Sequence, residues 1–315
     1  MQLADLTVYH DGRFSRYDDA KVGLLTHGLQ YGTGCFEGVR GFWSAREEEL
    51  YLLEAGAHYD RLAESARILM MELPHTTAEL CELTVELCAR NGFRSDVYLR
   101  PFAYKANEDI GVRLHGVRDA FGLVAIPFER YFETDRGLRA GVSSWRRIDD
   151  TMAPARGKIT GIYVNSALAK SEAVLNGFDE AIMLTADGHV SEGSAENVFM
   201  VRRGVLYTPD PSQNILEGVT RRAVMTLARD ELGLTVVERA IDRSELMVAD
   251  ELFITGSAAG IQWISSLDHR PIGDGERGPI ASRLIELYDG AVRGTLPRYR
   301  HWLTAVYAAR RVATG

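Results

Sequence analysis

Two spacings of apolar residues alternate along this chain. In "LTVYHDGRFSRY" apolar and polar positions alternate on both sides of Asp11-Gly12, which predicts two strands joined by a tight hairpin. "EAGAHYDRLAESARILMM" and "TTAELCELTVELCARNG" return an apolar residue every three or four positions and predict amphipathic helices, the second stopping at Asn-Gly. "DVYLRPFAY" and "AFGLVAIPF" read as strands, so residues 1–128 form a small N-terminal α/β layer domain. The charged stretch "ERYFETDRGLRAG" predicts an interdomain loop over 129–140, and a larger C-terminal domain fills 141–315. Its strands are expected at "GVSSW", "EAIML", "NVFMVRRGVLYT", "TVVE" and "ELFIT", and its helices near 162–176, 220–232 and 279–293. In the first of these helices Val164, Ala167, Leu168, Ser171 and Leu175 share one face, which is expected to be the packed one.

At 315 residues the chain is long enough for two domains, and 46% hydrophobic with 25% charged residues is the composition of an ordinary globular protein. A net charge of -8 argues against a general nucleic-acid or anionic-membrane surface. No apolar run approaches the length of a membrane helix, and the N-terminus lacks a signal-peptide pattern, so a cytoplasmic protein is expected. Cys81 and Cys88 lie two helical turns apart, about 10.5 Å, too far for a disulfide. With Cys35 they are expected to be packed thiols, and no metal-ligand motif is legible.

Lysine is scarce: Lys21, Lys105, Lys158 and Lys170 stand against thirty-two arginines. Lys158 lies between a glycine and Ile159-Thr160-Gly161, ahead of a helix, in "APARGKITGIYVNSALAKSEAVL". An amine that must lose its proton and attack a carbonyl has to be lysine, because a guanidinium stays charged. Arg156 nearby would help lower its pKa by like-charge repulsion. The competing reading is a solvated loop lysine. In "GHVSEGSAENVFMV", Glu192 and Glu196 sit among small residues that let a planar ligand approach, and a protonated aromatic nitrogen needs such an acid. Solvated acids in a hairpin connection are the alternative. Gly218-Val219-Thr220 opens a helix, and "ELFITGSAAG" runs a strand into a Gly-Ser turn at Ser257. Both could hold a phosphate, or Thr220 and Ser257 could simply be N-caps. "GDGERG" at 273–278 fits a dinucleotide fingerprint literally, but the polar "LDHRPI" before it and Pro279 after it give the wrong context.

The set "LQYGTGCFEGVR", "HYDRLAESARIL", "YLRPF", "GKITGIYVNSALAKSEA", "VSEGSAENVF", "LEGVTRRAV" and "ELFITGSAAG", over about residues 5–280, resembles the class IV, fold type IV pyridoxal-phosphate aminotransferases. It is most similar to the branched-chain amino acid aminotransferases. The resemblance implies a two-domain α/β enzyme with a C-terminal pseudo-barrel domain, pyridoxal 5'-phosphate as cofactor and a homodimer in which Tyr31 acts in trans. It implies that Lys158 forms the internal aldimine. Tyr163 would bond the cofactor's phenolic oxygen, Glu192 would pair with the pyridine nitrogen, and Arg61, Val219, Thr220 and Ser257 would hold the phosphate. Arg61 carries no such signal of its own.

For substrate, the resemblance implies branched-chain L-amino acids (Leu, Ile, Val) and 2-oxoglutarate, with ping-pong kinetics. Tyr31, Phe36, Tyr98, Arg100 and Tyr131 would line the pocket, Arg100 answering glutamate's carboxylate. The N–H groups of Ser257 and Ala258 would take the α-carboxylate. The chain departs from the family pattern at Glu217-Gly218-Val219-Thr220-Arg221, at Gly260 and in the loop "KANEDIGVRLHG", which adds Arg113. These departures leave open a specificity broadened or shifted toward aromatic L-amino acids or (R)-amines, and the rivals of the same fold are a D-amino acid or (R)-amine transaminase and an aminodeoxychorismate lyase. A non-enzymatic phosphate or small-molecule binding protein is the rival of another class.

Overall fold

The computed structural model describes residues 2–129, 131–132 and 136–308. The chain forms two compact units. One takes the described residues through Tyr131, the segment Gly157–Gly161 and the chain from Gly290 onward. The other takes Phe132–Arg156 and Ile162–Asp289.

The first unit opens with the expected hairpin, β1 (Thr7–His10) and β2 (Arg13–Arg16). Asp11 and Gly12 both take positive φ, +48° and +87°, as the tightest hairpin turns require. After α1 (His27–Tyr31) come β3 (Gly34–Phe36), β4 (Val39–Ser44) and β5 (Glu49–Leu53), then α2 (Ala55–Ile68), α3 (Thr77–Asn91), β6 (Val97–Lys105) and β7 (Asp119–Pro127). An antiparallel sheet runs from a C-terminal strand, Leu303–Ala305, through β5, β4, β6, β7 and β1 to β2, with β3 also paired to β6.

The boundaries of α3 have local causes. Thr76 Oγ1 accepts from Glu79 N at 3.3 Å and the Glu79 carboxylate accepts from Thr76 N at 2.8 Å, a reciprocal cap that satisfies two donors. Gly92 ends the helix at φ +64°. Asn91 then ties it to β1, donating to Thr7 O at 2.9 Å and accepting from Thr7 N at 2.8 Å. Leu62, Leu80 and Leu87 are fully buried, each contributing roughly 1.5–3 kcal/mol of apolar burial. The cysteines are free thiols, and burial pushes Cys88 up to about 12.

The second unit contains β8 (Leu138–Val142), α4 (Tyr163–Leu175), β9 (Glu180–Leu184), β10 (Val190–Gly193), β11 (Asn197–Arg202), β12 (Val205–Thr208), α5 (Val219–Leu232), β13 (Val236–Glu238), α6 (Arg243–Leu246), β14 (Glu251–Gly256), β15 (Gly260–Leu267), β16 (Arg270–Pro271) and α7 (Pro279–Val292) up to Asp289. Its sheet runs β10, β9, β8, β15, β14, β11, β12, β13, with β16 paired to β15. The β9–β8–β15 pairings are parallel. Ile182, Val190, Val198, Met200, Ile254 and Leu267 form its apolar core.

Two expectations are corrected here. The strand expected at Gly141–Trp145 lies at Leu138–Val142, because Ser143 and Ser144 turn away to bond the Glu172 carboxylate on α4. The face of α4 expected to be packed is instead the outer one: Val164 and Leu175 are 64% and 87% exposed. Ser166, Ala169 and Ala173 are buried, and the alanines meet Ala181 and Met183 of β9. Small side chains let the helix backbone come close to the strand, so size rather than hydropathy selected the inner face.

Candidate active site

Lys158 belongs to the first unit, where its backbone is docked onto β3. Phe36 N donates to Lys158 O at 3.0 Å, Cys35 bridges to Ile159, Gly34 N donates to Thr160 Oγ1 at 3.1 Å and Gly161 N donates to Gly32 O at 3.0 Å. From the other side Lys158 N donates to Ser65 Oγ of α2 at 3.0 Å. The glycines permit this close docking. A Cβ at Gly32, where φ is +66°, would lie 2.6 Å from Gly161 Cα. The amine itself reaches out over the Phe36 ring, with Nζ 5.2 Å from the ring centre.

Phe36 and Arg100 share this neighbourhood. The Arg100 guanidinium stacks on Phe36 at 4.3 Å and donates from Nη2 to the Tyr98 hydroxyl at 2.9 Å. A Cβ at Gly38 would collide with that hydroxyl, so the "FEGVR" glycine clears space for Tyr98. An apolar ring, a phenol and a cation thus stand beside the lysine, a surface that suits both an apolar chain and a carboxylate. Tyr31 accepts from Gly111 N at 3.2 Å through its hydroxyl and stacks edge-on against His27. Tyr131 lies near the end of the first unit's leading segment, 42% exposed.

Arg61 projects from α2 onto Glu37, donating from Nε to Oε1 at 2.6 Å and from Nη2 to Oε2 at 2.8 Å. Glu37 is fully buried and also accepts from His58 Nδ1 at 2.7 Å. Burial alone would raise its pKa, yet the Arg61 guanidinium and His58 hold it well below the usual carboxylate range.

The other residues expected at the site belong to the second unit. Glu192, at the end of β10, accepts from Arg147 Nη2 at 2.8 Å, Asn197 Nδ2 at 3.1 Å and Leu216 N at 3.0 Å. Tyr163 is the first residue of α4, and Val219 and Thr220 begin α5. Ser257 and Ala258 occupy the turn between β14 and β15, where Gly256 pairs with Gly260. Gly260 has φ +65°, so the backbone there favours glycine. Arg156 is exposed and pairs with Glu217 at 3.1 Å.

Two helix N-termini in this unit decide where an anion fits. At α7 the Glu251 carboxylate already accepts from Ile280 N at 2.9 Å and Ala281 N at 2.7 Å, so the glycine-rich 273–278 turn leads into a filled helix end. At α5 the Thr220 hydroxyl is buried with no hydrogen-bond partner among the described residues, as is Thr255, just before Gly256-Ser257. Orphaned hydroxyls are costly to bury, and those at a helix N-terminus and a Gly-Ser turn fit the ester phosphate of the cofactor the sequence implies.

The amino-transferase class IV family matches residues 34–267 of the chain. The chain belongs to the class IV aminotransferases. It is 47% identical over 299 residues to a protein named "Probable branched-chain-amino-acid aminotransferase" from Aquifex aeolicus, covering 95% of this chain and 96% of that one. A crystal structure of the branched-chain aminotransferase of Thermoproteus uzoniensis with norvaline superposes with a TM-score of 0.92 at 43% identity, covering 96% of this chain and 99% of that one. The PLP-form crystal structure of the branched-chain amino acid aminotransferase of Thermobaculum terrenum gives 0.92 at 38% identity, covering 97% of this chain and 99% of that one. The family and the mixed α/β fold expected of the sequence are borne out.

Sequence reasoning missed Glu37, His58 and Arg147 in this class IV aminotransferase. Nothing in "RRIDD", which follows the expected strand "GVSSW", marks a site residue, yet Arg147 is buried. The one available signal was the spacing of His58, Arg61 and Ser65 at i, i+3 and i+7, a polar stripe that lies on the packed face of α2, where His58 and Ser65 are buried.

Proposed function

We propose that this aminotransferase moves the amino group of branched-chain L-amino acids (Leu, Ile, Val) to 2-oxoglutarate by ping-pong turnover on pyridoxal 5'-phosphate. The observation that carries the substrate reading is the Phe36–Arg100–Tyr98 surface beside Lys158, with Arg100 on the ring at 4.3 Å. A branched chain packs on the ring, while the glutamate side-chain carboxylate pairs with the guanidinium.

When bound, the cofactor supplies an electron sink for the carbanion formed at the substrate Cα. Lys158 Nζ takes the Cα proton of the amino acid in one half-reaction and returns a proton to Cα in the other. Glu192, held by Arg147, Asn197 and Leu216 N, would pair with the ring nitrogen, and Tyr163 would bond the phenolic oxygen. Arg61, Val219, Thr220 and Ser257 would hold the phosphate. Ser257 and Ala258 N–H groups orient the α-carboxylate, with Tyr31 and Tyr131 completing the substrate residues.

The enzyme assembles as a homodimer. Its support is an apolar surface around Leu24, Leu25, Leu29, Ile110 and Val112, all exposed. The two segments are joined by the Thr26–Glu108 bridge and the Tyr31–Gly111 bond. Sedimentation of the purified protein tests this. Among the described residues no helix is long and apolar enough to cross a membrane.

Absorption spectroscopy tests the reaction: L-leucine and L-glutamate each bleach the cofactor band of the parent. Lys158→Ala keeps the fold and loses turnover. Arg100→Leu retains bleaching by L-leucine and loses most of that by L-glutamate. Bleaching only by D-amino acids or (R)-amines would overturn the substrate reading.

A further inference from the structure

We propose that Glu37 and His58 are positioning residues that hold the Arg61 guanidinium in one plane for the cofactor's phosphate ester. The inference rests on the reading above that Arg61 binds that phosphate. It concerns what fixes Arg61, a question the family's signature at Arg61 does not address.

The geometry is a clamp. Glu37 is fixed first: its backbone N donates to Pro101 O at 2.9 Å and its side chain has no exposure. Its two oxygens then engage the Nε and Nη2 edge of Arg61 at 2.6 and 2.8 Å. A two-point contact fixes both the direction and the plane of a guanidinium, and here it turns the Nη1 side of that plane away from Glu37. His58, one turn earlier on α2, donates from Nδ1 to Glu37 Oε2 at 2.7 Å, and Gly38 N donates to the same oxygen at 3.3 Å.

Because ionised Glu37 only accepts, the proton on His58 sits on Nδ1. Burial keeps the imidazole below its ordinary pKa, with Arg61 and Lys158 adding to that effect and Glu37 opposing it. His58 therefore orients the carboxylate without adding charge. Ser65 continues the stripe to the Lys158 backbone, so one face of α2 positions both the guanidinium and the lysine segment.

A buried ion pair is no more stabilising than well-packed apolar side chains of the same volume. What the clamp supplies is orientation. An arginine free to rotate would lose its rotamer freedom on binding phosphate, and a clamped one has lost it already.

The test uses the full-length enzyme, stripped of cofactor and titrated by fluorescence with pyridoxal 5'-phosphate and with pyridoxal, which lacks the phosphate. Glu37→Gln and Glu37→Leu are expected to bind pyridoxal 5'-phosphate about tenfold more weakly, the cost of immobilising one long side chain. Pyridoxal affinity stays unchanged. Inorganic phosphate, which protects the parent competitively, loses potency in the same variants. His58→Gln, which keeps a donor, retains more affinity than His58→Leu. Equal weakening toward both ligands would assign Glu37 a structural role and overturn the proposal, as would unchanged or tighter binding of pyridoxal 5'-phosphate. Arg61→Gln separates the layers. A phosphate-specific loss there without one in the Glu37 variants overturns this proposal alone, and no such loss in Arg61→Gln removes the underlying reading and the proposal with it.

Discussion

Glu37 in the first unit and Glu196 in the second are both buried, 0% and 4% exposed, yet their surroundings drive them to opposite charge states. Glu37 has burial against it and two partners for it, Arg61 and His58, and its carboxyl stays far below the usual range. Glu196 has burial and then Glu180 against it, and is pushed up to about 8, although Lys170 and the Ala195 N–H at 3.1 Å resist. Both cations of that cluster are already engaged. Lys170 Nζ bonds Glu180 Oε2 at 2.6 Å, and Arg147 bonds Glu192 Oε1 at 2.8 Å. Three buried acids share two bases, and Glu196, the one without a base bonded to it, holds its proton more tightly than an ordinary carboxyl. Burial alone does not set the charge; the count of partners does.

The largest effect should come from breaking the clamp. Arg61→Leu leaves buried Glu37 its His58 and Gly38 hydrogen bonds but takes away its guanidinium, and is expected to cost about 3–5 kcal/mol in urea unfolding of the cofactor-free protein. Arg61→Leu with Glu37→Leu recovers most of that, because no charge is then left alone. A single-variant cost under about 1 kcal/mol would put Glu37 with ordinary surface pairs and dissolve the contrast.

The pH dependence sharpens it. Glu37 is depressed, so its contribution is present above the unfolded value near 4.5 and is lost as pH falls below that. Glu196 is raised, so its contribution is present below about 4.5 and is lost as pH rises through about 8. Over that window one such group lowers stability by at most about 1.4 kcal/mol per pH unit. Glu196→Gln carries a neutral amide at every pH. Its unfolding free energy should meet the parent's near pH 4.5 and exceed it beyond pH 8. Curves that stay parallel across the window would take the proton off Glu196.

The elements legible in the sequence are those fixed by neighbours in the chain. The α3 boundaries follow from Thr76, Glu79 and Gly92, and the first hairpin from Asp11-Gly12. Lys158 was legible because lysine is scarce and its glycines are local, and Glu192 because small residues surround it. What was hidden depends on distant partners. Arg61 gains its setting from a residue twenty-four positions away, and Arg147, outside any strand, from Glu192 on β10. The inner face of α4 was misread because alanine packing against Ala181 and Met183 outweighs a periodicity of larger apolar residues.

The smallest effect belongs to Arg156–Glu217, which has the same ionic chemistry without the burial. Its 3.1 Å contact lies between side chains 57% and 55% exposed, in water that already solvates both charges. A double-mutant cycle with Arg156→Gln and Glu217→Gln is expected to return a coupling of about 0–1 kcal/mol, and less at high salt. The Arg61–Glu37 contact is 2.6 Å between side chains 11% and 0% exposed, and its cycle should be insensitive to salt because ions cannot enter between the partners. If Arg156–Glu217 instead couples as strongly and resists salt, then short N–O distance rather than desolvation governs these pairs, and the opposite behaviour of Glu37 and Glu196 would need another cause.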